Sequence, residues 1–544
     1  MFVDFLSLIF VYFTILGYSA FFKINLLKIQ SKKVINLDFF YGIFFLCIIG
    51  IILNFFIALQ IVSPIIYVIG LIIFTINFIK KNYQINLKLI FILIFFSSFI
   101  FKSNGLAYDS ALYHLQTIKW INSYKISFGL ANLEPRFGIN SIWHLFISLL
   151  NIKIFNLKLI YLFNYLPIIV LINELFEKKR KYYIADIFLF LTLSFIFFFS
   201  LLHPFGNGVI LNLIGSPEVD TVAMVLFILS LYLFLKYFLD KKREYFNLIL
   251  IVATLAYLTK ISHLSAVFFA IIVFLSDSNI KIFTRLNILI LLLNIFWAVR
   301  SIILSGCVIF PAKITCLKKL YWGHPIENVE LTANSWTSFS RDTRLRLRAG
   351  DFDHTIYSYD WVKPWINDYL LNTALFNAIF FVLIFSLILL LIKFIFKLNY
   401  KKIPFQTIFL FPIYIISLYI WFKNPDIRLG LGTLITFSTI ILAITSNLVF
   451  LEKYFYKYSL YTLSFLLFFM VIKNYDNKNL IFSNNDKFAK NYGHITKIQK
   501  TNNYDVYSPE AGNFCYDFKK ICVVESHNNY VIKNKNGYFV FLRN

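Results

Sequence analysis

Residues 39–58 read FFYGIFFLCIIGIILNFFIA, an uninterrupted run without a charged side chain. A helix needs about 20 apolar residues to cross the hydrocarbon core of a bilayer. Similar runs recur to about residue 472, and hydrophobic residues make up 59% and charged residues 15% of the 544-residue chain. Soluble domains are about 45–50% apolar and about 25% charged. The sequence therefore predicts an all-α polytopic membrane protein of about 13–15 transmembrane helices.

The basic residues indicate a topology. The formal net charge is +25, which in a soluble protein would favour nucleic-acid binding. Here the cations lie in short loops between apolar runs, for example at 178–181 and 241–243. This is the pattern of the positive-inside rule, so we expect these loops in the cytoplasm and no nucleic-acid partner. The abundance of Phe, Lys, Asn, Ile and Tyr is typical of an AT-rich bacterial genome. We expect a multi-pass protein of the bacterial inner membrane.

Composition also divides the chain into segments. The segment 139–174 contains two apolar stretches. The alternation of sides requires that it cross the membrane an odd number of times, so we expect one half to be short, re-entrant or interfacial.

In the polar tail, Asn536-Gly537 separates two alternating apolar runs, a pattern that predicts a β-hairpin in a small α/β extracytoplasmic unit. The predicted segments are N-terminal helices 1–87, a core 88–305 with an outer loop 102–138, an outer loop 306–370, C-terminal helices 371–472 and an outer tail 473–544.

Four of the five cysteines form two same-side pairs. Cys307 and Cys316 share the predicted outer loop, and Cys515 and Cys522 share the tail. Cysteine pairs in an extracytoplasmic location favour disulfides. A zinc site is the alternative, although no further Cys or His lies nearby at ligand spacing.

Carboxylates stand at the predicted outer ends of helices. An ionisable residue at membrane depth is costly and is therefore a candidate functional residue. Asp109 follows the 88–101 helix and reads equally well as a helix N-cap or as a general base or metal ligand. Glu218 and Asp220 open a helix on the same side, either as partners of the helix dipole or as metal ligands.

Three cations stand on the side that the positive-inside rule disfavours. They are Lys260, Arg300 and Arg428, the last of which follows Asp426. Each by itself is explained by snorkelling to the interface. Together they favour a shared anionic partner such as a phosphate. A second basic group, Arg341, Arg344, Arg346 and Arg348, fits either phosphate binding or a solvated face.

A lipid-phosphate-linked sugar suits this combination of charges. A carboxylate can deprotonate an acceptor hydroxyl, and cations or a metal ion can stabilise the charge that builds on the departing phosphate. His114 lies five residues after Asp109, a poor spacing for one helix face, so a hydrogen-bonding or core role for His114 and His144 is favoured over metal ligation.

The arrangement resembles the GT-C class of polytopic glycosyltransferases, which use polyprenyl-phosphate-linked donors. More closely, the chain looks like an uncharacterised family of bacterial multi-pass membrane proteins with GT-C-like organisation. The resemblance implies a GT-C-like core, an essential acidic residue at Asp109 in the first outer loop, and further acidic residues at Glu218 and Asp220. The matching stretches are 108–116 (YDSALYHLQ), 129–133 (GLANL), 136–141 (RFGINS), 260–262 (KIS), 304–306 (LSG), 360–361 (DW), 425–428 (PDIR) and the tail cysteines.

The functional hypothesis is a GT-C-type membrane glycosyltransferase. It moves a sugar from a polyprenyl-phosphate-linked donor to a cell-surface glycan or lipid acceptor, with a divalent metal ion as a candidate cofactor. The alternatives are a flippase or transporter of a lipid-linked glycan and a non-catalytic envelope assembly protein. In this hypothesis Asp109 is the catalytic base and Glu218 and Asp220 are candidate metal ligands. The candidate substrate-binding residues are Lys260, Arg300, Arg428, Asp426, His114 and Arg136.

Overall fold

The computed structural model describes most of the chain before residue 450 and parts of the tail. The described residues are 2–29, 36–80, 83, 87–102, 108–154, 157–176, 184–202, 215–281, 283–342, 356–395, 408–449, 495–500, 505–509, 515, 518, 521–523 and 530–543. The predicted span near 458–472 and three members of the second arginine group (Arg344, Arg346 and Arg348) lie outside these residues.

Helices dominate the described part of the chain. They are α1 (Phe2–Ala20), α2 (Phe39–Phe56), α3 (Leu59–Ile79), α4 (Leu87–Lys102), α5 (Leu115–Ser123), α6 (Ile142–Leu150), α7 (Tyr165–Leu175), α8 (Ile184–Leu202), α9 (Val219–Asp240), α10 (Arg243–Thr259), α11 (Val267–Ser276), α12 (Arg285–Ser305), α13 (Ile326–Arg341), α14 (Val362–Pro364), α15 (Ala374–Ile395), α16 (Leu410–Lys423) and α17 (Ile427–Val449).

Seven helical spans in the described part are long and apolar enough to cross a membrane. They are Val3–Leu26, Asn36–Phe56, Leu59–Ile79, Val219–Asp240, Arg285–Ser305, Leu375–Ile392 and Ile427–Thr445. Shorter apolar helices lie among them, including α7 and α16. The all-α, multi-pass membrane architecture is thus confirmed, whereas the count of 13–15 crossings and the segment boundaries stay predictions.

Close helix packing has a local cause in the N-terminal part of the bundle. A Cβ atom added at Gly17 of α1 would collide with the carbonyl group of Gly70 in α3. Small residues at such positions let two membrane helices approach backbone to backbone. At the centre of the bundle, α9 is buried along almost its whole length.

The segment 139–174 forms two short helices separated by a small hairpin. Helix α6 has 9 residues and α7 has 11, so at 1.5 Å per residue each is about 14–17 Å long, too short to span a bilayer core of about 30 Å. The strands β1 (Lys153–Ile154) and β2 (Leu157–Lys158) pair antiparallel between them. Thus both halves of the segment are short, where only one was expected to be.

The bundle has a basic end. There Lys23 at the end of α1 forms a buried salt bridge of 2.8 Å to Asp38 and lies 3.7 Å from Glu244 at the start of α10. Exposed cations of the loops, such as Lys242 and Arg285, lie at this same end. Of the two basic loops named above, 241–243 therefore lies at this end, and 178–181 lies outside the described residues.

The opposite end carries a covering layer, built from residues 115–138, helix α13 and the tail strands. The tail strands are β3 (Ile495–Lys500), β4 (Asp505–Pro509), β5 (Ile521–Cys522), β6 (Tyr530–Lys535) and β7 (Tyr538–Arg543). The backbone N–H of Phe128 donates to the carbonyl of Phe539 (2.7 Å), and that of Phe541 donates to the carbonyl of Phe128 (2.9 Å). These bonds attach the tail to the loop between α5 and α6.

The tail contains the predicted hairpin. Strands β6 and β7 pair antiparallel around Asn536 and Gly537, both of which have positive φ. This is the backbone that a type I′ turn requires, and Asn-Gly adopts it readily. The hairpin prediction is confirmed, but the described part of the tail contains strands and no helix, so the expected α/β mixture is not seen there.

Both expected cysteine pairs form disulfides in the structure. Cys307 is bonded to Cys316 and Cys515 to Cys522, while Cys47 is free and buried. The first disulfide closes a short loop between α12 and α13, and the second closes a short loop in the tail.

Candidate functional site

Charged side chains from four parts of the chain meet at the covered end of the bundle. Arg428, at the start of α17, donates to Asp109 (3.0 Å) and to Asp426 (3.2 Å). Lys260, which follows α10, is ion-paired with Asp220 in the first turn of α9. The charge of Lys260 also interacts with those of Asp109, Asp426 and Arg428. These residues, together with Glu218, are called the charged cluster below.

Asp109 does not act as a helix N-cap in this structure. It precedes a π-helical turn, Ser110–His114, and its carboxylate makes no capping hydrogen bond to that turn. The carboxylate turns instead toward Arg428, which is 319 residues away in sequence. The interpretation of Asp109 as a helix N-cap therefore lacks the capping hydrogen bond that it requires.

The turn before α17 fixes Arg428. The backbone N–H of Arg428 donates to Asp426 Oδ1 (2.9 Å), and Trp421 Nε1 donates to the Asp426 carbonyl (2.8 Å). In the covering layer, Thr337 of α13 donates to Asn424 (2.8 Å) and Arg341 donates to the Lys423 carbonyl (3.1 Å). The covering layer thus holds the turn that presents Arg428 to Asp109.

A buried chain of hydrogen bonds continues from the cluster into the protein. Glu218 Oε1 lies 3.1 Å from His114 Nε2, and His114 Nδ1 lies 2.9 Å from His144 Nε2. Ser110 Oγ also donates to Glu218 Oε2 (3.3 Å). All four side chains are buried. The expected hydrogen-bonding role of His114 and His144 is thus what the structure shows.

Electrostatics keep Glu218 ionised despite its burial. Burial alone would raise the pKa of Glu218, but the adjacent His114, followed by Arg428 and Lys260, lowers it to about 2. For Lys260, burial lowers the pKa and outweighs the attraction of Glu218, so that the pKa is about 8. The cluster holds four carboxylates and two cations, a formal net charge of −2.

Arg136 lies at the margin of the cluster. Its guanidinium donates to Glu134 Oε1 (2.8 Å). Burial, followed by the charges of Asp109 and Glu218, raises the pKa of Tyr113, and Arg136 and Arg428 partly oppose that shift. Arg136 therefore belongs to the same electrostatic neighbourhood as the cluster carboxylates.

Arg300 does not join the cluster, contrary to the expectation that Lys260, Arg300 and Arg428 share one partner directly. It is buried on α12, and a guanidinium N–H donates to the side-chain oxygen of Asn140. Its charge acts on His144, where burial, followed by His114 and Arg300, holds the pKa well below its usual value. Arg300 thus lies beyond His144, at the far end of the histidine chain.

Sequence reasoning missed Asn164, which organises the site from behind. Its amide donates to the backbone carbonyls of Ser216 and Glu218 (both 2.6 Å) and accepts from the Trp143 indole (2.7 Å). These bonds set the direction in which the chain enters α9. The sequence feature that could have revealed it is one Asn within an apolar stretch. A polar side chain that is buried there needs hydrogen-bond partners.

The candidate metal ligands do not form a ready ligand set. Glu218 is bonded to His114, and Asp220 is ion-paired with Lys260. Among the described residues, no group of three or more His, Cys, Asp or Glu side chains is arranged to hold a metal ion.

Fold and site together define a multi-pass membrane protein with a covered cluster of charges at one end of its helix bundle. The chain matches, over residues 1–435, the model of a family described as a domain of unknown function, DUF8201, and it belongs to that family. Neither a search of curated proteins nor a search of solved structures returned a match.

Proposed function

We propose that the protein is a membrane glycosyltransferase of GT-C type that uses a polyprenyl-phosphate-linked sugar at the outer face of a bacterial inner membrane. The observation that carries the proposal is the meeting of Asp109, Asp220, Lys260 and Arg428 at one end of the bundle. These residues are up to 319 positions apart and make no local structure together. Ionisable groups gathered at membrane depth are costly, so a functional reason for their retention is favoured.

Asp109 is the proposed base because of its position in the cluster. It is one of the more accessible carboxylates there, with 23% of its side chain exposed, whereas Glu218 and Asp220 are almost fully buried. A carboxylate within reach of an acceptor hydroxyl can take its proton as the hydroxyl attacks the sugar. Arg428 orients this carboxylate, and Asp426 orients Arg428 in turn.

Lys260 and the surrounding helices fit an acceptor and the lipid tail of a donor. Lys260 can donate hydrogen bonds while its own charge is balanced by Asp220. The apolar helices around the cluster provide surface against which a polyprenyl chain can pack, and burial of apolar area supplies affinity. The covering layer contributes a boundary that keeps bulk water from an activated sugar.

The test is a transfer assay on the purified chain. Asp109→Asn removes the proposed base at nearly constant volume and is expected to lower transfer from polyprenyl-phosphate-linked sugars at least about 100-fold, as is typical for loss of a general base. The readout is the labelled product formed by wild type and variant in lipid vesicles.

Glu330→Gln is the matched control. Glu330 is an exposed carboxylate of the covering layer, 2.5 Å from Lys313 and outside the cluster. This variant is expected to retain wild-type transfer, and both variants should unfold at the wild-type temperature. Full transfer by the Asp109 variant would refute the assignment of the base. Donor binding without transfer by the wild type, across all donors tried, would favour the transporter alternative.

A further inference from the structure

Arg300 is a buried cation without a balancing anion in the described part of the chain. Only 4% of its surface is exposed, and it lies within the apolar helix α12. Its one hydrogen-bond partner there is the neutral amide of Asn140, and its Nε has none. A buried charge that lacks a counter-charge destabilises the folded protein. The position therefore calls for a negatively charged partner.

The N-terminus of α6 lies beside this guanidinium. Asn140, which binds Arg300, directly precedes Ser141, the N-cap of α6. Asn140 is held to α12 by bonds of 2.9 Å to the Trp297 carbonyl and to Ser301 Oγ. The first N–H groups of a helix have no partner within the helix, and together with the helix dipole they favour an anion.

Two further buried polar atoms at this helix end have no hydrogen-bond partner among the described residues. Ser141 Oγ makes no capping bond and is unpaired, and His144 Nδ1 in the first turn of α6 is unpaired as well. Buried polar groups are nearly always hydrogen-bonded in folded proteins. Three unpaired polar atoms around one helix N-terminus (Arg300 Nε, Ser141 Oγ and His144 Nδ1) indicate a binding position.

The histidine chain can make His144 a donor toward this position. When His114 Nδ1 donates the hydrogen bond between the two rings, His144 Nε2 is its acceptor. His144 is then neutral, and its ring hydrogen is on Nδ1. A donor at Nδ1 matches an acceptor-rich ligand such as a phosphate.

The charges of the cluster argue against a phosphate there. Lys260 is paired with Asp220, and Arg428 with Asp109 and Asp426, so the cluster has a net negative charge. Of the three cations expected to bind phosphate, Arg300 is the one whose charge is not balanced by a carboxylate among the described residues. Arg300 is five residues before the end of α12, about 7.5 Å at 1.5 Å per residue. Arg300 therefore lies midway between the centre of this 21-residue helix and its C-terminal end.

We propose that Arg300, Ser141, His144 and the N-terminus of α6 form a binding site for the phosphate group of a membrane lipid. The guanidinium supplies charge and a planar pair of donors, which suit phosphate oxygens. The site is distinct from the charged cluster. Its existence does not depend on the proposed glycosyl transfer; only the view that the lipid phosphate belongs to a donor or acceptor of that reaction rests on the proposed function.

The test measures binding of polyprenyl phosphate to the full chain in nanodiscs of zwitterionic lipid. Polyprenol, which lacks the phosphate, is the matched ligand. The wild type is expected to bind polyprenyl phosphate at least about tenfold more tightly than polyprenol. Arg300→Gln is expected to abolish that difference, and Ser141→Ala to reduce it several-fold.

Arg285→Gln is the matched protein control. Arg285 is an exposed arginine at the other end of the same helix, where it donates to the Leu26 carbonyl. This variant is expected to keep wild-type binding. If Arg300→Gln does not fold, Ser141→Ala is the deciding variant, because it removes a hydroxyl that makes no hydrogen bond to any described residue.

A second readout separates ligand binding from a purely structural role. Polyprenyl phosphate is expected to raise the unfolding temperature of the wild type and to leave that of Arg300→Met unchanged. Equal stabilisation of both proteins would overturn the proposal, as would equal binding of polyprenyl phosphate and polyprenol by the wild type.

The third measurement tests binding of inorganic phosphate. Arg300-dependent binding of inorganic phosphate, without any preference for the lipid, would overturn the assignment to a lipid. If the wild type shows no glycosyl transfer but binds polyprenyl phosphate in an Arg300-dependent way, the proposed function is refuted and the phosphate site is supported.

Discussion

Arg428 links two distant parts of the charged cluster. It connects a carboxylate on its own turn, Asp426, with one that lies after α4, Asp109. Either ion pair alone resembles an ordinary interfacial contact. Their combination holds three charges in one place, and the covering layer holds the turn that carries two of them.

Lys260 gives the site a pH dependence. Its pKa is lowered to about 8, first by burial, so the side chain is protonated below that pH and neutral above it. If the ammonium group is required for transfer, the rate falls as the pH rises through about 8. Lys260→Arg keeps a charge at all accessible pH values, and it is expected to move the alkaline limb of the profile upward.

The measurement is the rate of transfer between pH 6.5 and 9.5 for the two proteins, a range set at roughly 1.5 units around the lysine pKa. Lys242→Arg is the control, because Lys242 is an exposed lysine at the basic end. An alkaline limb that stays in place in Lys260→Arg would show that another group titrates.

Among the elements, α1 and α3 depend on a pair of glycines. Gly17→Ala would place a Cβ against the Gly70 carbonyl group, and α1 cannot relieve that contact without moving away from α3. Overpacking of this kind costs about 1–3 kcal/mol. The variant is expected to unfold at a lower temperature in detergent, as measured by fluorescence-detected size-exclusion chromatography.

Gly50→Ala is the matched control in the neighbouring helix α2. There the nearest atom to the added Cβ is the Leu145 carbonyl oxygen at 3.4 Å, close to ordinary contact. Little change is expected in this variant. A Gly17→Ala protein as stable as Gly50→Ala would show that α1 and α3 are less tightly packed than the structure indicates.

At the scale of the whole molecule, the two ends of the bundle are chemically different. The basic end carries exposed lysines and arginines, and the other end carries the charged cluster and the covering layer. Helix α10 joins them, with Glu244 near Lys23 at one end and Lys260 beside Asp220 at the other. A cytoplasmic basic end therefore implies an extracytoplasmic cluster and tail.

Cysteine labelling can test this orientation. Asn536→Cys places a thiol in the exposed tip of the β6–β7 hairpin, and Lys242→Cys places one at the basic end. A membrane-impermeant maleimide is expected to label the first in intact spheroplasts and the second only after permeabilisation. The native cysteines are either disulfide-bonded or buried, so they should give little background.

Labelling of both positions from the same side would contradict the two-ended architecture. Labelling of Lys242→Cys alone in intact spheroplasts would invert the proposed orientation and place the cluster in the cytoplasm.

The sequence by itself determined the helical, membrane-spanning character of the protein. Apolar runs such as 39–58 satisfy their backbone hydrogen bonds within a helix and bury their side chains in lipid or against other helices, whatever their partners. The Asn-Gly hairpin and the cysteine pairs were also accessible, because their signals lie within a few residues of one another. The candidate residues Asp109, Glu218, Lys260 and Arg428 were found because a charge near an apolar run is conspicuous.

Only the tertiary structure decided which of these charges meet. Helix order along the chain does not fix which helices are neighbours, so nothing local distinguished Lys260 from Arg300. Lys260 lies in the cluster, whereas Arg300 lies on α12 beside the N-terminus of α6. The same holds for Asn164, whose bonds to Ser216 and Glu218 join segments about 50 residues apart. Hydrophobic periodicity records burial but not partners, and the partners of a buried charge determine whether it is neutralised or left to bind a ligand.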